Sequence, residues 1–441
     1  MAMKNAGFQV EMIGHASLRV QAQGKTFLTD PWYVDPIGCN TVFHFPPLVH
    51  DVDALAAETD AIYISHIHPD HFDPHTLARF SKDIPIYIGR YRSKRYVDAV
   101  RSLGFSVCEV PFQTPTEVTG TPFEISILES DYDETDAFDS SIVIGAPGFT
   151  VFNNNDCYLD DAKYQWVADN YDIDYGFLGY SPASYYPLCF EFDEETKRRL
   201  LSAAAERKYG DFVAAAQRLQ PGISVPFAMG LRFFHRSMLS LNIGFNSAPE
   251  AVRRVQALGL RGEVMGPGDR IMAGAVVERV SPLREQPEEL QAIAALAEEK
   301  QDWAEMLWAS EPGERPGLLE SFRDCILGLW RHTRDHLPGI EQYVIAYRLV
   351  GQTTREFYFD FSRPESEVFS MGSPPRYDMR YTYPSGLLQQ QMDGLIDWDD
   401  MHFSCRVSID QRRYAKEFYA MLRSTLNEVP GTAVAESAAG A

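Results

Sequence analysis

The spacing of apolar and polar positions changes several times along this chain, and the changes divide it. From Phe8 the run Phe-Gln-Val-Glu-Met-Ile alternates, and Ser17 to Val20 and Thr26 to Thr29 do so again on either side of a turn at Gln23-Gly24-Lys25. Side chains two apart leave a strand on the same face, so the pattern predicts an opening β-meander. Short apolar runs at Ala61 to Ile64 and Ile86 to Ile88 read as buried strands. Helical spacing appears at Pro74 to Phe80, Lys94 to Leu103, Phe192 to Gln220 and Ser247 to Leu258, the last ended by Gly259. Strands alternating with helices predict an α/β layer.

Past the turn Gly266-Pro267-Gly268-Asp269 the character shifts. Glu285 to Trp308 is an acidic helical stretch, Leu318 to His336 a second helix, and Gln342 to Val350, Glu356 to Phe361 and His402 to Ile409 read as strands. With 441 residues to distribute, the expected organisation is a catalytic α/β domain over 1–280, a smaller C-terminal α+β domain over 281–428, and a disordered tail over 429–441.

Composition removes several functions. A formal net charge of −22 opposes adhesion to phosphate backbones and anionic membranes, so neither nucleic acid nor a membrane is an expected partner. The first residues lack a basic segment followed by an apolar one, and nowhere do 18 apolar residues run together, which predicts a soluble, cytoplasmic protein. The six cysteines form no C-x-x-C pair, which argues against a zinc knuckle or a disulfide framework.

The chemistry concentrates where the run Ala61 to Ile64 meets Ser65-His66-Ile67-His68-Pro69-Asp70-His71. In an extended segment the rings of His66 and His68 leave the same face and can grip one cation. Pro69 breaks the extension, which lets Asp70 and His71 turn toward a second. Of the chain's 11 histidines, four fall between His66 and His75, a density that ordinary composition does not explain. His75 is expected to face outward from a helix start, and His332 and His336, at i and i+4 on a predicted helix, are expected to be structural.

This H-x-H-x-D-H segment resembles the signature of the metallo-β-lactamase superfamily. The resemblance implies an αβ/βα sandwich, with Asp30 in Leu28-Thr29-Asp30-Pro31-Trp32 orienting the metal site from behind the ligands and Asp156 in Asn154-Asn155-Asp156-Cys157 bridging two cations. His235 is the candidate that completes the second metal beside Asp70, His71 and Asp156. Zinc hydrolases of the superfamily supply a third histidine to the first metal, but here no histidine occurs between His75 and His235. A strand ending in acids stands there instead. Glu129 is the candidate for the third place, with Asp131 and Asp133 as rivals, and His15 in Ile-Gly-His-Ala-Ser either approaches the site or is a loop residue without a metal role. These segments, with Val225-Pro226-Phe227-Ala228 through His235, are similar to the catalytic region of the CMP-N-acetylneuraminate hydroxylases. The acid in place of the third histidine also resembles the metallo-β-lactamase-fold diiron hydroxylases. The C-x-H…C-x-x-H pair that holds a Rieske cluster is missing from this sequence.

Two histidines and one carboxylate with open positions suit non-haem iron and dioxygen. The expected activity is therefore a diiron oxygenase that uses two Fe ions to hydroxylate a small-molecule substrate, either free or carried on a protein or coenzyme, with electrons from an external reductase. A dinuclear zinc or manganese hydrolase is the alternative. Asp70, Glu129 and Asp156 are the expected catalytic carboxylates.

Overall fold

The computed structural model describes residues 8–424 except 93, 132–138, 183, 273–275 and 336. Asp133, His336 and the expected tail over 429–441 lie outside the described residues. The chain forms two compact units. The first holds Met1–Ile37, Val42–Ala183 and Ser202–Lys300, and the second Gly38–Thr41, Ser184–Leu201 and Gln301–Ala441. The division is not the contiguous one expected at 280/281. It falls within the helix Gln286–Ala309, whose uninterrupted hydrogen bonding gives no local signal of a boundary.

The first unit is built on two sheets. One has the order Val276–Glu278, Arg270–Met272, Phe8–Gly14, Ser17–Ala22, Lys25–Thr29, Ala61–Tyr63, Ile86–Gly89, Val107–Val110. The other runs Ile223–Phe227, Tyr175–Gly179, Phe149–Asn153, Ser140–Ala146, Glu124–Glu129, Thr116–Glu117. Strand alternation explains how they pack. Val10, Leu18, Val20, Phe27 and Tyr63 share one buried cluster with Ile125, Ile127, Ile142, Ile144, Val151, Phe177 and Val225 of the second sheet. Their neighbours Leu28, Ile62, Ile64, Ile86 and Ile88 turn the other way and pack on Leu55, Leu77, Tyr96, Val97 and Val100 from the helices. Burying both faces is why these strands read as continuous apolar runs.

The strand directions collect loops at one end. Lys25–Thr29, Ala61–Tyr63 and Ile86–Gly89 are parallel, as are Phe149–Asn153, Tyr175–Gly179 and Ile223–Phe227. Asp30, Ser65 to His71, Asn154 to Asp156 and Ala228 to Gly230 all follow the carboxyl ends of such strands.

The second unit has a sheet of order Phe369–Met371, Arg355–Asp360, Val344–Val350, Met379–Pro384, Ser408–Gln411. The helix Leu318–Thr333 contributes Phe322, Ile326 and Trp330 to its core, beside Tyr347, Phe357, Phe359, Tyr381 and Tyr383. The strand expected over His402 to Ile409 is a correction. Trp398–Phe403 is helical, and the strand is only Ser408–Gln411. A capping box closes the helix start, in which Asp397 and Asp400 each accept the other's backbone N–H, and that local bonding overrides the apparent alternation. Among the described residues no helix is long and apolar enough to cross a membrane.

Candidate metal centre

The centre is assembled from turns that the sequence makes unavoidable. Pro69 stops the extended run after Ala61–Tyr63, and His68 O accepts from His71 N at 2.9 Å and from Phe72 N at 2.8 Å. The tight turn brings His71 back beside His66, with ring centroids 4.1 Å apart. His66 Nε2 and His68 Nδ1 converge to 2.8 Å. His66 is buried while His68 is exposed, so the pair runs from the interior to the mouth.

Asp30 anchors this turn. Its oxygens accept from Ser65 N at 2.7 Å and Ser65 Oγ at 2.8 Å, and Oδ2 lies 2.9 Å from His71 Nδ1. With Nδ1–H donating to a carboxylate, the His71 Nε2 lone pair points inward, where a cation would need it. Nε2 is 3.7 Å from Asp70 Oδ2 and 3.6 Å from Asp156 Oδ1. Asp156 is held by a self-bonded turn, in which Asn155 N donates to Asn153 Oδ1 at 2.9 Å and Asn154 Nδ2 to Cys157 O at 2.9 Å. Gly179 lets that turn approach, since a Cβ there would meet Asn155 O at 2.7 Å.

Two groups of donor atoms result: His66, His71 and Asp156 in one, His15, Asp70 and His71 in the other. Within each, the ligand-type atoms lie within 4.8 Å of one another. The electrostatics are those of a cation site. Burial alone pulls the His71 imidazole down, but the charges of Asp156, Asp70 and Asp30 prevail and push it up to about 10. Burial raises the Asp70 carboxyl, yet His71 and His15 beside it hold it well below the usual range. Burial, with the charges of His71 and His68 added, pushes His66 well down.

The fit to metal ions rests on atoms left unpaired. His71 Nε2, Asp139 Oδ1 and Asp156 Oδ1 are buried without a hydrogen-bond partner. Each such atom costs about 1–3 kcal/mol of lost solvation, so a cluster of them calls for a ligand. Imidazole and carboxylate are the donors that zinc, iron and manganese take.

Residues 9–133 match the sequence model of a family described as "Beta-lactamase superfamily domain". Over those residues the chain is similar to a beta-lactamase superfamily domain. With the two-sheet sandwich and the additional C-terminal unit, its fold is of the metallo-β-lactamase type. Among curated relatives, it is 31% identical over 196 residues to a protein of Mycolicibacterium smegmatis named as a Rieske 2Fe-2S iron-sulfur protein, covering 43% of this chain and 37% of that one. It is 27% identical over 236 residues to the cytidine monophosphate-N-acetylneuraminic acid hydroxylase of Mus musculus, covering 50% and 38%. The matches thus span under two-fifths of those relatives. Similar solved structures include metal-dependent hydrolases and the diiron β-hydroxylase CmlA of Streptomyces venezuelae, the latter with TM-score 0.41, 20% identity, and 62% and 54% coverage. At that overlap they decide nothing about the chemistry.

Four residues named from sequence fall outside the donor groups: Glu129, Asp131, His235 and His68, the last touching them through His66. Glu129 ends its strand with an exposed side chain, opposite Ser140, whose Oγ donates to Ser65 O at 3.0 Å. Its backbone is thus linked through Ser140 to Ser65, while its side chain is in neither donor group. Asp131 is engaged elsewhere, by an ion pair with Lys163 and by Asp160 N at 2.6 Å, which leaves it a structural anchor. His235 is half-buried at the start of the 3-10 segment Arg236–Gly244, its Nδ1 2.8 Å from Ser237 Oγ, and is likewise outside both groups. His75 is exposed on its short helix, and His332 is exposed too.

Two residues were not singled out as site members from the sequence. Asp139, just before Ser140–Ala146, places Oδ1 3.4 Å from His66 Nδ1, and burial and the Asp156 charge push its carboxyl well up. Ser65 ties Asp30 to both histidines, its Oγ 2.9 Å from His66 Nδ1 and 3.2 Å from His71 Nδ1. A serine before H-x-H was the available signal for one. An acid opening a strand, far along the chain, gave little for the other.

Proposed function

We propose that the chain is a non-haem diiron oxygenase that hydroxylates a small-molecule substrate. The observation that carries this reading is the make-up of the first donor group. Around His66 and His68 the acids are Asp156, Asp139 and the exposed Glu129, and the other imidazole beside them, His71, is the one assigned here to the second ion. A carboxylate-rich set favours iron over zinc. His66, His68 and one of these acids would hold one ion. Asp70 and His71, with His235 as the remaining candidate, would hold the other, and Asp156 would be shared. Glu129 stays the proposed third donor, with Asp139 as its rival.

Bound iron would supply electron transfer to dioxygen and Lewis acidity. The chain's own residues set the frame. Asp30 fixes the His71 tautomer, Ser65 locks the turn, and the burial of His66, Asp70 and His71 keeps bulk water from that side. Exposed His68 and Glu129 mark the side from which substrate arrives. A cavity of about 80 Å³ beside His15, walled by Met12, Phe45, Phe227 and Met229, offers room for an apolar substituent. A separate reductase is proposed as the electron source, and a cytoplasmic location fits the acidic charge. The named hydroxylase relative supports hydroxylation as the reaction class; its substrate is not carried over.

The second reading, a zinc or manganese hydrolase, draws on the buried imidazoles. The deciding measurement is metal content of protein expressed without added zinc, followed by dioxygen uptake when the reduced, iron-loaded protein meets air. About two irons per chain and uptake dependent on Glu129 support the oxygenase, and Glu129→His should lose uptake and gain zinc affinity. Zinc content with no uptake would turn the reading to hydrolysis. If Glu129→Ala takes up dioxygen like wild type while Asp139→Ala does not, the third donor is Asp139.

A further inference from the structure

We infer that His15 positions Asp70 for metal binding and is not itself a metal ligand. The inference rests on the metal-centre reading, whichever metal or reaction the centre serves. By distance alone His15, Asp70 and His71 form a three-donor site. The hydrogen bonding of the other His15 nitrogen changes that.

His15 sits in the turn between Phe8–Gly14 and Ser17–Ala22, buried, with a left-handed φ of 38°. The backbone N–H of Gly230 donates to His15 Nδ1 at 3.1 Å. An imidazole that accepts at Nδ1 and is neutral must carry its proton on Nε2. Nε2 faces Asp70 Oδ2 at 3.2 Å. This N–H is therefore directed toward the Asp70 carboxylate and has no lone pair for a cation. Ligation through Nε2 would move the proton to Nδ1, where it would meet the Gly230 N–H head-on.

The Gly230 backbone is packed against His15 and tethered on its far side. Gly230 packs backbone against backbone, so that a Cβ on it would lie 2.6 Å from His15 N and 2.8 Å from its Cα. On its other side Gly230 O accepts from Phe45 N at 3.0 Å. A connected path results, from the loop after Ile223–Phe227 through Gly230 and His15 to Asp70. Partners of this kind, acting through a ligand, typically change metal affinity 10- to 100-fold.

Two experiments test it. In zinc-loaded wild-type protein labelled with nitrogen-15 histidine, His15 should show a protonated Nε2 and an unprotonated Nδ1; an unprotonated Nε2 would overturn the inference. In cobalt titrations of the metal-free protein, His15→Asn keeps an acceptor near the Nδ1 position and loses the reach to Asp70. It should still bind two cobalt ions, one of them 10- to 100-fold more weakly, with an unaltered ligand-field spectrum at saturation. His15→Gln, whose amide reaches the Nε2 position, should recover part of that loss. A single cobalt in His15→Asn would make His15 a ligand, and unchanged affinity would remove its positioning role. Failure of wild type to take up either metal would sink the metal-centre reading itself, and this inference with it.

Discussion

Two buried histidines, one in each unit, are shifted in opposite directions. His71 is fully buried among Asp30, Asp70 and Asp156, and their charges push it up to about 10. His402 is 2% exposed in a shell of Tyr185, Tyr381, Tyr383 and Tyr419, and burial pushes it down to about 4. The difference lies in what surrounds each ring. His402 has both nitrogens occupied, Nδ1 2.7 Å from Trp398 O and Nε2 3.3 Å from the Tyr383 hydroxyl. His71 has one nitrogen held by Asp30 and the other unpaired among carboxylates. A satisfied histidine in an aromatic core secures the fold. An unsatisfied one among acids is suited to hold a cation.

The largest expected effect breaks the site and spares the fold. His66→Ala should reduce activity by at least about 10³-fold, as removal of a group acting in the transition state does, with loss of bound metal. The two-sheet core contains none of the ligands, so thermal unfolding of the metal-free variant should match that of metal-free wild type. Collapse of the fold on chelation would instead mean that the metal is structural. His402→Ala should do the converse, lowering stability and leaving metal content unchanged.

A second expectation sharpens the contrast through pH. The folded pKa of His402 lies near 4, below its ordinary 6.5, so between those values the unfolded chain binds more protons than the native one. Its contribution to stability is therefore complete above pH 6.5 and lost as pH falls toward 4. A shift of this size corresponds to about 3 kcal/mol. Denaturant unfolding of wild type against His402→Gln should show that difference in slope within the window. Parallel curves would mean that His402 is already protonated in the native state.

How much of this could be read beforehand depended on how local the cause was. The H-x-H-x-D-H turn, the strand before it and the acid after Leu28-Thr29 are local patterns, and the structure places Asp30, His66, His68, Asp70, His71 and Asp156 around one turn. His15 meets Asp70 only because strand order brings the first turn of the chain to the site, and its tautomer is set by Gly230, 215 residues away. No spacing encodes that. The segment at His402 failed for the opposite reason, since a capping interaction three residues long outweighed the alternation around it. The unit boundary within Gln286–Ala309 was hidden because a continuous helix satisfies its own backbone on both sides.

The smallest effect separates the two histidines by their partners. Tyr383 is 1% exposed, and its hydroxyl donates to His402 Nε2 when the ring is neutral. Tyr383→Phe should cost about 1 kcal/mol at neutral pH, the usual net worth of such a bond. Below pH 4 a protonated Nε2 cannot accept from that hydroxyl, so the deficit should fade as His402 gains its proton. The same loss raises the folded pKa of His402, because the bond favours the neutral form, and so narrows the window in which stability depends on pH. At His71 the comparable change, Asp30→Asn, removes a charge that favours the protonated ring and a partner that directs Nε2 inward, and should show in metal affinity, by about 10- to 100-fold. Measuring both variants by denaturant unfolding and by cobalt titration tests the distinction. If Tyr383→Phe altered cobalt affinity, or if Asp30→Asn left it unchanged, the division between a structural and a metal-binding histidine would fail.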